Sequence, residues 1–123
     1  MINKVILVGN LGANPELKST NSGMSVSSMR LATSDRKKDG ATGDWVDVTE
    51  WHTVTVFGAT ADNCCKFLEK GRQIYVEGRL QTRKWQDKEG KDRWSTEIVA
   101  NKVKFLGSKN GASVGSHDEN IPF

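Results

Sequence analysis

Trp45-Val46-Asp47-Val48-Thr49-Glu50-Trp51-His52-Thr53-Val54-Thr55-Val56-Phe57 is the segment around which the rest of the chain orders itself. It is dense in valine, threonine and aromatic residues, the types that suit a pleated surface. Side chains alternate faces along a strand. Four of its six even positions are valine, and the odd positions carry Trp45, Trp51 and Phe57 among polar residues. If the valines face a core, three aromatics stand on a solvated face, where large apolar groups are unusual. A bulge would break this parity, and a slip of one residue would turn Trp51 and Phe57 inward.

Outward from this strand, most of the chain also reads as strands. Ile2 to Val8 is an apolar run ending in Gly9-Asn10, and Val26 to Thr33 places Met29, Leu31 and Thr33 on one face. Lys37 to Gly43 is expected to be an exposed hairpin loop. After Gly58, Thr60 is expected to cap one helix, Ala61 to Lys70, with Ala61, Cys64, Cys65 and Leu68 on one face and Gly71 as the stop. Arg72 to Arg83 is a further strand, with Ile74, Val76, Leu80 and Thr82 on the even face. Asp87 to Asp92 is a charged turn, and Trp94 to Leu106 the last strand. This order predicts an all-β fold with one helix, a five-stranded OB-type barrel over residues 1–107. Such barrels bind on a strand face and on long loops. Residues 108–123 are mostly Ser, Lys, Asn, Gly and Ala, which cannot bury a core, so they are expected to form a disordered tail.

The chain of 123 residues suffices for one domain with a modest core. Its N-terminus has neither a basic leader nor a long apolar run, so the expectation is no signal peptide and a cytoplasmic protein. Adjacent Cys64 and Cys65 cannot staple distant segments, and only His52 and His117 could join them as metal ligands. No P-loop, nucleophile elbow or zinc-binding helix motif occurs, and Gly9-Asn10-Leu11-Gly12 is not a dinucleotide fingerprint. His52 lies on the valine-rich face without a nucleophile or paired carboxylates at a recognisable spacing, and reads as a core or interface histidine. No enzyme, cofactor or metal site is therefore expected.

The charge pattern points to a polyanion. Nine basic and five acidic residues lie between Arg72 and Lys104, whereas the tip carries Asp118 and Glu119. Arg83, Lys84, Trp85, Lys88, Lys91, Arg93 and Trp94 interleave cations with indoles around the charged turn. Unstacked bases of a single strand stack on such rings, while lysine and arginine neutralise phosphates. The candidate binding residues are Trp45, Trp51, Phe57, Trp85, Trp94, Arg36, Lys37, Arg79, Arg83, Lys84 and Arg93. Trp85 and Trp94 could instead cover the barrel end. The pattern does not separate DNA from RNA.

Several blocks resemble bacterial single-stranded DNA-binding proteins. They are Asn3-Lys4-Val5-Ile6-Leu7-Val8-Gly9-Asn10-Leu11-Gly12, Pro15-Glu16, Thr49-Glu50-Trp51-His52, Val56-Phe57-Gly58, Leu68-Glu69-Lys70-Gly71, Val76-Glu77-Gly78, Thr82-Arg83-Lys84-Trp85 and the terminal Ile121-Pro122-Phe123. The resemblance implies an OB fold, assembled as a homotetramer around which single-stranded DNA wraps, with Trp51, Phe57 and Trp85 stacking on bases. It implies that His52 lies near a subunit interface. It also implies protection of DNA in replication, recombination and repair, at the nucleoid. Asp118, Glu119, Ile121, Pro122 and Phe123 would dock replication and repair proteins, by capture of a C-terminal carboxylate. Two features depart from the family pattern. Arg36, Lys37 and Lys38 stand where some members carry an aromatic, so phosphate contacts would replace one stack. The tail is short, and Asn120 makes its tip less acidic. Two rivals remain open. One is an accessory OB module of primosome type, and the other an oligomeric adaptor whose strand-face aromatics bury in a protein interface.

Overall fold

The computed structural model describes residues 1–107, so the expectations for the tail and for Asp118 to Phe123 fall outside the described residues. The elements in chain order are β1 (Val5–Leu11), β2 (Lys18–Ser19), β3 (Ser25–Lys38), β4 (Trp45–Phe57), α1 (Gly58–Phe67), β5 (Gln73–Gln86) and β6 (Asp92–Leu106). The sheet order is β1-β5-β6-β4-β3-β2, and β1 also pairs with β3. That last pairing, Asn10 with Ala32 and Leu11 with Leu31, closes five long strands into a barrel. The fold is thus the small closed β-barrel with one helix that the strand order predicts.

The core follows from parity. Leu31 of β3, Val54 and Val56 of β4, and Ile74 and Val76 of β5 point inward and are fully buried. One helix face, with Ala61 and Cys64 buried and Leu68 just beyond it, covers the barrel end. Two glycines permit close strand contact. A Cβ on Gly78 would stand 2.2 Å from the Val99 carbonyl oxygen, and one on Gly9 would stand 2.3 Å from that of Ala32. Next to Gly78 the β5–β6 register shifts by one residue. The extra residue re-aims β6, so Ile98 and Ala100 face inward before the bulge and Val103 and Phe105 after it.

The structure corrects four details. Arg36, Lys37 and Lys38 belong to β3, not to a loop: they pair with Asp47, Val46 and Trp45. The turn is confined to residues 39–44, closed by Asp39 N–H to the Asp44 carbonyl at 2.7 Å. Val46 is exposed and Val48 only half-buried, because this end of the β3–β4 hairpin projects past the barrel. Leu80 of β5 is likewise exposed, past the point where β6 bulges. The helix begins at Gly58, whose φ of +63° makes the corner out of β4. Phe57 is therefore the N-cap, without a side-chain cap, and Thr60 lies within the first turn. Leu68 ends the helix in an extended conformation, and Gly71 serves the following turn, with φ +90°. Among the described residues no helix is long and apolar enough to cross a membrane.

Candidate nucleic-acid interface

One outer face of the barrel collects most of the chosen side chains. It comprises the odd positions of β4, β5 and the first half of β6, together with the even positions of β3. Trp45, Trp51 and Phe57 lie along β4, and each is substantially exposed. The Trp51 indole rests on Gly12, where a Cβ would meet its Cζ3 at 2.5 Å. The Arg30 guanidinium carbon lies 5.3 Å from the centroid of the same ring. The ring is thus held by backbone and a cation while half its surface stays open, 51% by relative accessibility.

Beyond the barrel rim, β5 and β6 continue as a two-stranded finger. Its tip is organised by Asp87. Oδ1 of Asp87 accepts from the N–H groups of Glu89 and Lys91 at 2.9 and 3.0 Å, and Oδ2 accepts from Arg93 Nε at 3.0 Å. Arg93 and these N–H donors hold the Asp87 carboxyl below its usual range. Lower on the finger, Trp85 donates from Nε1 to Ser95 Oγ at 2.8 Å, which fixes the indole on the outer face. Arg83 donates from Nε to Glu97 at 3.2 Å, and Arg79 reaches Gln81 at 3.4 Å.

Three candidates do not join this face. Trp94 and Lys84 are register partners on the opposite side of the finger, with the Lys84 ammonium 5.9 Å from the Trp94 ring centroid. Lys37 likewise pairs with Val46 on the reverse of the β3–β4 hairpin, while Arg36 and Lys38 share the Trp51 side. Arg36 there meets Asp47 at 3.7 Å. Residue-type reasoning missed Arg30, Gly12 and Glu97. Arg30 was within reach, since it alternates with Met29 and Leu31 and so must point outward. Gly12 and Glu97 act through tertiary contacts that no local pattern reveals. His52 is half-buried and shares a 2.8 Å hydrogen bond between Nε2 and Thr33 Oγ1.

A closed barrel with a strand face of held aromatics and tethered arginines is one architecture among many, and the sequence match singles out the family. The profile of the single-strand binding protein family matches residues 2–106. The chain belongs to this family. Two solved structures of the family share the fold at appreciable identity. Against the Plasmodium falciparum SSB in complex with single-stranded DNA, the TM-score is 0.74 at 36% identity, covering 86% of this chain and 96% of that one. Against a deletion variant of the single-stranded DNA-binding protein from Thermus aquaticus, the TM-score is 0.75 at 31% identity. That match covers 89% of this chain and 52% of the Thermus chain.

Proposed function

We propose that this protein binds single-stranded DNA without sequence preference and does so on the outer face of β3, β4, β5 and β6. The observation that carries the reading is the arrangement around Trp51: an open indole, seated on Gly12 and beside Arg30, on one face with Phe57, Trp85, Arg83 and Arg93. Stacking on such rings tolerates every base, because each base has a π-face. The guanidinium groups between the rings supply phosphate contacts. The likeness to an SSB complexed with single-stranded DNA supports the same reading. Bound in this way, exposed strands would be protected during replication, recombination and repair in the cytoplasm. The Asp118 to Phe123 tip would recruit replication and repair proteins.

A homotetramer is part of the proposal. Ile6 and Val8 stand exposed on the outer side of β1, an apolar stripe that a second copy would cover. Fluorescence anisotropy of labelled oligomers tests the ligand class. A dT oligomer should bind at least tenfold more tightly than a duplex of equal length, and an RNA oligomer of the same length separates DNA from RNA preference. Equal affinity for duplex and single strand would overturn the stacking mechanism.

A further inference from the structure

Beneath the outer face lies a carboxylate that residue-type reasoning gave no role. The Glu97 side chain is only 8% exposed, and both of its oxygens are engaged. Oε1 accepts from the Thr55 hydroxyl at 2.7 Å, and Oε2 accepts from Arg83 Nε at 3.2 Å. A buried carboxylate is costly unless paired and hydrogen-bonded, so this site holds Arg83 firmly. Arg83 is itself 58% exposed. A guanidinium can divide its donors: Nε–H serves Glu97, and the two terminal NH2 groups make no hydrogen bond among the described residues. The contrast is Arg36, whose partner Asp47 is 76% exposed and lies at 3.7 Å.

We propose that Glu97 is a positioning residue of the strand-binding face. It grips Arg83 by Nε from below and thereby presents the terminal NH2 groups to one backbone phosphate. The inference rests on the strand-binding reading above and adds to it a reason for an acidic residue inside a polyanion-binding face. Simple electrostatics opposes it, since removing a negative charge there should tighten DNA. The two views therefore differ in sign.

Lysine at position 83 carries its charge on one compact ammonium, which the buried carboxylate would draw down and away from the phosphate, without the planar fork that lets arginine serve both at once. Poly-dT titrations at several salt concentrations test this on the full chain. Arg83→Lys should lose as much affinity as Arg83→Ala, about three- to tenfold, and both should flatten the logarithmic salt slope by roughly 0.7. Glu97→Gln keeps the side-chain shape but weakens the charge-assisted tether. It should bind two- to fivefold less tightly on the order expected for one misaimed contact, but cause no loss in the Arg83→Lys background. Asp47→Asn, on the loose exposed pair, should bind as tightly as the parent or tighter. Parent-like affinity of Arg83→Lys would overturn the positioning role, as would tighter binding by Glu97→Gln. Equal loss from Glu97→Gln in both backgrounds would also overturn it, by making Glu97 merely structural. A parent chain that fails to bind poly-dT would instead remove the strand-binding reading on which the inference rests.

Discussion

Between the Trp51 indole and the Gly12 backbone there is no room for a methyl group. Gly12→Ala should therefore displace the ring and weaken single-strand binding, while Trp51→Ala removes the stack outright and should cost roughly 1–3 kcal/mol of binding. Anisotropy titrations with a dT oligomer check both. A Gly12→Ala chain with unchanged affinity would show that the seat does not matter. The two cysteines should also differ. Burial pushes the Cys64 thiol up to about 12, with the neighbouring Cys65 adding to the shift, so Cys64 stays protonated at neutral pH. Cys65 is half-exposed and should react first with a thiol reagent, Cys64 only on unfolding. Rapid modification of both in the native protein would contradict the packing described for α1.

At the scale of elements, the strands were readable because their burial follows a period of two. Trp45 to Phe57 was delimited correctly from valine, threonine and aromatic content, and its outward aromatics came from parity. Length was harder to judge. Arg36 to Lys38 looked like loop because they are charged, yet in a projecting hairpin both faces meet water and polar side chains are tolerated. The helix start was misplaced for a different reason. Thr60 is a good capping type, but Gly58 provides a positive-φ corner that lets the chain enter the helix earlier. Thr60→Ala should accordingly change stability by less than about 0.5 kcal/mol, where removal of a working cap would cost about 1 kcal/mol. Gly78 has the opposite expectation. Its Cβ would strike backbone atoms of β6, which cannot swing aside, so Gly78→Ala should destabilise by about 1–3 kcal/mol or more. Thermal melts of the two variants distinguish these claims. Glu97 was invisible in the sequence because its burial depends on β4, β5 and β6 meeting at one point.

Over the whole molecule, charge placement governs how binding should respond to solution conditions. Arg36, Arg83 and Arg93 of the outer face are tethered by carboxylates, and the tethers differ in depth from Glu97 to Asp47. The Asp87 carboxyl at the finger tip is held below its ordinary value, chiefly by Arg93. Its contribution is complete above the unfolded value, near pH 3.9, and is lost only as pH falls through the lower folded value. Finger order, read from amide chemical shifts of Glu89 and Lys91, should therefore be constant from neutral pH down to about pH 4. Melting of the tip well above that range would contradict the hydrogen-bonding described. The exposed Ile6 and Val8 give assembly a similar test: an aspartate at either position should lower the mass seen by light scattering.

The central claim is that bases stack on the outer-face indoles while arginines neutralise phosphates. Tryptophan fluorescence during titration with poly-dT, at low and at high salt, tests it most directly. Strong quenching at low salt, with affinity falling steeply as salt rises, is the predicted result. An absence of quenching at low salt would contradict it, and would assign these aromatics to a protein interface instead.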